Sequence, residues 1–460
     1  MCKDSYNKHL TLPSIPKDEF YEDFVAAVLS ASGLFLERRL SLNKPVNILE
    51  LDVVTTRFLA GGIEKTLSEI KSGGWGLTDV FKVRGWLDYL HYQSASFVVL
   101  DSKIQNFSEY QNVASSLQIG LVNVPKNTNG KLDFTAIQSL YHLPSIDTRV
   151  FDCAVTTLRY AFCMERLMIE KYLKPLAKDP KVLQGYRELN DYLNTIRDYS
   201  FFVSDVHQRL LTVFGAFQQY KNISARIDTE KNTGTYAEAD TAEFSKATFE
   251  RLFYNIPAEQ HPLHVALYAE MFNRLIMLKL AVEEAIKDRT LTGLLKTVKR
   301  LSLPNNIKHG IDELLAHHPY FYLYPVLWQN FIFVMGGFLL TDKMNEEYHI
   351  LSQLSGIPEA EIGHALQAFD ILFPIPDDSW MFDKPGTSIR IMKFMPLPFS
   401  GLGANFRRLY YRPDDNHYMY EDLSSQLSGR YTVGDLIKFN NLAVEYLSKA
   451  KELVNKSAQL

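Results

Sequence analysis

VNILELDVV, residues Val46 to Val54, and EKTLSEIKSGG, residues Glu64 to Gly74, are the two stretches whose reading decides the fold of this chain. Side chains alternate across a strand with a period of two, so Glu69 and Lys71 share one face. Between the stretches lie Ala60, Gly61 and Gly62, the small residues of a tight turn. The two therefore read as a β-hairpin, which brings Asp52 beside Glu69 and Lys71. Two carboxylates and a lysine on one sheet face are the makings of a Mg²⁺ site, because this hard ion takes one or two carboxylates and fills its other positions with water and phosphate oxygens. The backbone carbonyl of Ile70, between the two functional side chains, offers a further ligand. A bound metal would lower the pKa of a water, and Lys71 would hold that water or the charge developing on phosphorus. The expected chemistry is hydrolysis of a phosphodiester, with Mg²⁺ as cofactor.

Working outward, KDEFYEDFVAAVLSASG (17–33) repeats Phe20, Phe24, Val28 and Ala31 at helical spacing and stops at Gly33. Phe35 to Leu40 reads as a strand, joined to Val46–Val54 by the turn Asn43-Lys44-Pro45, and Glu64–Ser72 is the third strand. Leu77–Tyr92 reads as a helix with Thr78 as its N-cap. Ser96–Leu100 is a buried strand, a helix follows near Ser108–Leu117, and Ile119–Val124 is the last strand. The order α-β-β-β-α-β-α-β predicts a mixed sheet flanked by helices.

These residues resemble the PD-(D/E)XK nuclease superfamily, the restriction-endonuclease-like fold, over roughly residues 17–125. That family's α-β-β-β-α-β core carries a glutamate on its first helix, a metal-binding aspartate on the second strand and E-x-K on the third. Glu22, Asp52, Glu69 and Lys71 stand in those positions, and the helix DVFKVRGWLDYL resembles the one after the family's lysine. No proline precedes Asp52, where Leu51 stands instead. The resemblance implies metal-dependent cleavage of nucleic acid, DNA before RNA, and admits a role in prokaryotic antiviral defence. Its rival is a nuclease fold retained as a non-enzymatic scaffold or docking subunit.

The 460 residues exceed what one hydrophobic core serves. The expected division is an α/β nuclease domain over 1–148, a helical domain over 149–325 and a helical C-terminal domain over 326–460. A net charge of -4 gives no basic field for nucleic acid, so contact must come from local patches or a bound metal. Cys2, Cys153 and Cys163 have no metal-ligand spacing and fit a reducing cytosol. The N-terminus has no apolar core of a signal peptide. Helical patterns run over Phe151–Leu173, Val182–Phe217, Leu263–Lys287 and Val433–Asn455, with a polar, turn-rich loop over Arg226–Lys246. Tyr320–Leu340 is charge-free and of spanning length, but Pro325, Gln329, Asn330 and its tyrosines make it a buried core helix, and no membrane is expected. Glu346–Gly356, Pro358–Phe373 and Ser388–Pro396 follow the order helix, Gly turn, helix, strand of a winged-helix-like module. Its second helix opens on Glu359 and Glu361 and holds no Lys or Arg, which argues against insertion into a DNA groove.

Other residues compete for attention. Glu50 shares a face with Asp52. Lys82 and Arg84 both stand where they could steer a phosphate backbone. Arg38 and Arg39 point opposite ways, so one at most faces the cleft. Arg412 and His417 match the R-x4-H spacing of HEPN ribonucleases, yet Pro413 to Asn416 favour a turn. His261 and His264 lack a completing ligand, and the side chains of His317 and His318 diverge. Phe406–Tyr411 mixes basic and aromatic residues but reads as a partly buried strand or loop. Lys296, Lys299 and Arg300 form a basic helical face of the kind usually solvated. There is no Walker A motif, no GxGxxG and no GxSxG elbow, so the helical region offers no second chemistry and reads as a sensing, docking or oligomerisation module.

Overall fold

The computed structural model describes residues 12–42, 48–127, 132–141, 146–178, 184–217, 219, 261–372, 381–383, 389–392, 407–412 and 417–422. Helix α1 (Glu19–Ala31) buries Tyr21 and every residue from Asp23 to Ala31. It stops where Gly33 adopts a φ of 86°, a left-handed conformation that glycine enters without a Cβ clash.

Strands β1 (Phe35–Leu42), β2 (Leu49–Leu59) and β3 (Gly62–Lys71) form an antiparallel meander. Leu59 pairs with Gly62, so Ala60 and Gly61 make the expected tight turn. Helix α2 (Leu77–Leu90) then carries the chain over to β4 (Ser94–Leu100), and α3 (Phe107–Ser116) carries it to β5 (Ile119–Val124). Both crossovers return the chain in the same direction, so β3, β4 and β5 are parallel. The sheet order is β1-β2-β3-β4-β5, with α1 packed on the meander and α2 on β4 and β5. The N-cap of α2 is Gly76, whose N–H donates to Asp79 Oδ2 at 2.9 Å, and not Thr78, which lies inside the helix.

Pleating gives the sheet two distinct faces. Asp52, Glu69, Lys71 and Phe97 share one, because Val53 pairs with Ser68 and Glu69 with Phe97. On that face Trp75 packs its ring on Phe97, Phe107 and Tyr110. The other face carries Ser68 and Ser96. Both meet the hydroxyl of Tyr141, just after α4 (Thr135–Leu140). The charged meander thus rests on buried hydrogen bonds below and on aromatic packing beside it.

The chain divides into two compact units, Met1–Cys163 and Met164–Leu460. Helix α5 (Thr148–Arg166) ends the first and enters the second. The second unit is mostly helical, and its long patterns are more broken than periodicity predicts. Phe151–Leu173 changes from α to π winding at Leu167. Val182–Phe217 splits into Gln184–Asn194, a π turn over Thr195–Tyr199, and a helix over 206–217. Leu263–Lys287 lies within one helix, His261–Asp288.

Tyr320–Leu340 is not a single helix. A 3-10 turn (Phe321–Leu323) leads into a ten-residue helix, Tyr324–Phe333, buried at every position. Gly336 and Gly337, at φ 72° and 80°, then turn the chain into a strand, Phe338–Leu340. Two successive left-handed residues cannot continue a right-handed helix, so local backbone conformation overrides the apolar run. No helix among the described residues is long and apolar enough to cross a membrane.

Helix Met344–Ser355 ends at Gly356 with φ 76°, a 3-10 turn follows at Glu359–Glu361, and helix Ile362–Leu372 comes next. Strands Met381–Asp383 and Ile389–Met392 pair with each other, and the latter also pairs with Phe338–Leu340. Strands Arg407–Arg412 and His417–Asp422 form a hairpin. The predicted loop over 226–246, the helix over 433–455 and the turn at 43–45 lie outside the described residues.

Candidate active site

The register of the central hairpin builds the site. Val53 opposite Ser68 sets Asp52 opposite Glu69 one step along the ladder. Asp52 Oδ2 accepts the N–H of Ile70 at 2.8 Å, which pins the carboxylate to β3. Lys71 Nζ lies 2.7 Å from Glu69 Oε1. The three residues on which the reading rests are therefore gathered at one point.

Electrostatics there are tense. Burial pushes the Asp52 carboxyl well above its ordinary range, and the neighbouring charges of Glu69 and Glu22 push it further. The Ile70 amide and Lys71 pull it back only in part. Burial also pulls on the Lys71 ammonium, but its bond to Glu69 and the charges of Glu69, Asp52 and Asp79 outweigh burial and raise it above its ordinary value. Lys71 is thus a permanent cation at neutral pH, suited to stabilising negative charge and not to abstracting a proton.

Glu69 is 2% exposed, and its second oxygen, Oε2, is buried without a hydrogen-bond partner. A buried carboxylate oxygen left unbonded, beside a second carboxylate that resists ionising, is what a cation would relieve. The donor set fits Mg²⁺ or Mn²⁺: all oxygen, with two carboxylates and water access through the part-exposed Asp52 and Lys71. Among the described residues no three His, Cys, Asp or Glu side chains gather into a metal-holding group. Any ion here would therefore keep several waters. Ile70 is joined to Asp52 through its N–H, leaving its carbonyl as the remaining backbone oxygen at this position.

The other candidates separate clearly. Glu22, on α1, bonds Arg39 at 2.6 Å, and its charge reaches Asp52. Arg39 has a φ of 53°, which breaks the alternation of β1. Arg38 and Arg39 consequently both engage α1, Arg38 through Asp23 at 3.5 Å while its guanidinium lies over Phe162. Glu50 is exposed. Lys82 and Arg84 differ in kind. Lys82 Nζ stands 4.0 Å from Glu69 Oε1 and 4.3 Å from the centre of the Trp86 ring, with half its side chain exposed. Arg84 is occupied by Asp88, Gln118 and the Leu117 carbonyl, which fastens α2 to the loop before β5. Sequence spacing leaves these two residues equivalent, and only the rotation of α2 about its axis separates them.

Beyond the first unit the alternatives lose force. Lys296, Lys299 and Arg300 are committed to Asp288, Asp205 and Asp288 with Asp312, so this basic face is internally neutralised. His317 turns to Glu313 and His318 to the Tyr324 hydroxyl, diverging as adjacent residues do. Arg412 and His417 are paired backbone positions of the hairpin Arg407–Arg412 and His417–Asp422. His261 and His264 open the helix His261–Asp288. No protein-family model, no curated protein and no solved structure matches the chain.

Proposed function

We propose that the N-terminal unit is a metal-dependent nuclease of the PD-(D/E)XK type, acting on DNA as an endonuclease. The observation that carries the reading is the juxtaposition of Asp52, Glu69 and Lys71 on one face of β2 and β3, with Glu69 Oε2 buried and unbonded. The element order helix, three-stranded meander, helix, strand supports it, since that is the order of the family core.

Asp52 and Glu69 would hold Mg²⁺ or Mn²⁺, with Ile70 contributing its carbonyl. The ion, when bound, would supply an activated water and neutralise charge on the scissile phosphate. Lys71, fixed by Glu69 and kept protonated, positions the water and counters the negative charge that develops as phosphorus is attacked. Glu22, bound to Arg39, adds negative potential that strengthens the hold on a cation. Lys82, exposed beside Glu69, meets the incoming backbone as a phosphate contact. In a chain of net charge -4 these local cations and the ion itself provide the attraction.

The second unit serves this site by docking or sensing. The order of strand Phe338–Leu340, helix Met344–Ser355, helix Ile362–Leu372 and strands Met381–Asp383 and Ile389–Met392 favours a winged-helix-like module. Its second helix carries no Lys or Arg, so it is assigned to a protein partner and not to a DNA groove.

Cleavage of plasmid, linear duplex, single-stranded DNA and RNA under a Mg²⁺ and Mn²⁺ titration tests the proposal. Wild type should cut DNA only with metal, and Asp52→Ala and Lys71→Ala should not. No cleavage together with no Mn²⁺ binding by calorimetry would assign the fold to a scaffold, and metal binding without cleavage would point to a missing activator or partner. Cleavage of RNA alone would move the substrate class.

A further inference from the structure

The helical unit brings together three side chains that are far apart in sequence. His207, on the helix over 206–217, sets Nδ1 3.3 Å from Glu284 Oε1 and Nε2 in hydrogen-bond contact with Ser302 Oγ. His207 is 3% exposed and Glu284 1%, whereas Ser302 is exposed. We propose that Ser302, His207 and Glu284 form a second active site, a serine hydrolase triad acting on carboxylic esters with apolar acyl chains.

The tautomer follows from Glu284. An ionised carboxylate only accepts, so it takes the Nδ1–H of His207 and leaves Nε2 as the basic nitrogen. Nε2 faces Ser302 Oγ, the geometry in which an imidazole withdraws the hydroxyl proton. The Lys299 carbonyl, 2.9 Å from the same Oγ, accepts that hydrogen when the imidazole does not. Ser302 caps the C-terminus of the helix Gly293–Leu301, and Leu303 and Pro304 lead directly into the helix Asn305–His317. The first N–H groups of a helix have no partners within it. In that same first turn the Asn306 side-chain nitrogen, Nδ2, is buried without a hydrogen-bond partner. An orphaned amide donor four residues beyond the nucleophile is the kind of group that stabilises an oxyanion.

The helix before Ser302 supplies the acyl preference. Gly293–Leu301 has no buried residue and exposes Leu294, Leu295, Val298 and Leu301. Leu294, Val298 and Leu301 recur at i, i+4 and i+7, a stripe that runs along one side of the helix toward Ser302. An acyl chain laid on this stripe would end with its carbonyl at the hydroxyl.

Chemically, Ser302 Oγ bonds to the acyl carbon as its proton passes to His207 Nε2. The ester C–O bond breaks, and the leaving oxygen takes that proton from His207 and departs as an alcohol. Water then attacks the acyl carbon and gives a proton to His207. Ser302 Oγ leaves with it, and the carboxylic acid is released. Glu284 keeps its charge throughout and balances the imidazolium.

The test treats the full-length protein with a fluorophosphonate probe and with p-nitrophenyl acetate, butyrate and octanoate. The expected result is a label mapped by mass spectrometry to Ser302, with octanoate hydrolysed at least ~10-fold faster than acetate on the scale of a few buried methylenes. Ser302→Ala should stay folded, melting somewhat below wild type because the buried His207 Nε2 loses its partner, yet lose label and at least ~100-fold in rate. Leu301→Asp should erase the octanoate preference. Asp52→Ala should leave esterase activity unchanged. An unlabelled wild type that hydrolyses esters no faster than Ser302→Ala would overturn the proposal and reduce the His207 contact to a clamp on a helix end. Equal rates for acetate and octanoate would overturn the acyl assignment.

Discussion

Replacing Asp52 with Asn tests the electrostatics of the candidate centre through stability alone, without a substrate. The side chain keeps its shape, and the amide oxygen can still accept the Ile70 N–H now bonded at 2.8 Å. What disappears is a charge that burial, Glu69 and Glu22 all disfavour. Folded Asp52 holds its proton to higher pH than the unfolded chain, whose ordinary value is 3.8. Between those two values the folded state carries more protons, so this group's contribution to stability falls as pH rises. Metal-free Asp52→Asn should therefore melt above metal-free wild type at pH 8, and the gap should close as the pH is lowered. Saturating metal reverses the ranking. An ion present at 100 times its dissociation constant stabilises the wild type by about 2.7 kcal/mol. For a unit of the size of Met1–Cys163 this is a rise of roughly 5–11 °C in Tm. Asp52→Asn should show almost none of it. Scanning calorimetry of both proteins with and without Mn²⁺ gives all four numbers. An equal metal shift in the two proteins, or a wild type indifferent to metal, would refute the placement of the ion between Asp52 and Glu69.

Three further outcomes follow from the same geometry. Lys71→Met should lower the cleavage rate by about 10²–10³-fold, as loss of a charge-stabilising donor does, while the metal-induced rise in Tm survives; loss of both would make Lys71 a structural partner of Glu69 only. Lys82→Ala should weaken DNA binding and reduce the slope of log affinity against log salt by about 1, whereas Arg84→Ala should leave that slope intact and lower stability; identical slopes in the two variants would remove Lys82 from the phosphate path. Tyr141→Phe deletes the buried hydroxyl shared by Ser68 and Ser96 and should cost about 1–3 kcal/mol in urea melts, with an unchanged midpoint counting against that bridge.

The alternation of LELDVV and SEIK, the Ala60-Gly61-Gly62 turn and the helix ended by Gly33 sufficed for α1, β2 and β3, because each depends on neighbours within a few residues. The same locality made Asp52, Glu69 and Lys71 visible: one hairpin carries all three, and hairpin register is a local property. Locality also explains the failures. The apolar run Tyr320–Leu340 looks like one helix by hydropathy, yet it breaks at the left-handed pair Gly336 and Gly337. Val182–Phe217 is continuous in pattern but interrupted where π winding at Thr195–Tyr199 and the bend after it redirect the chain.

What the sequence determined by itself was the strand meander and the placement of Asp52, Glu69 and Lys71 on one of its faces, since charge, alternation and turn residues are written in consecutive positions. Tertiary structure decided the rest. It set Lys82 beside Glu69 and Arg84 against Asp88 by the rotation of α2, bound Arg39 to Glu22 through a left-handed backbone, and committed the basic face of Lys296, Lys299 and Arg300 to buried or nearby carboxylates. It also brought Ser302, His207 and Glu284 together from three separate segments. Side chains separated by 77 and 95 positions meet only because helices pack. That packing is set by the sum of many non-directional apolar contacts, which leave no signature at the residues they bring together.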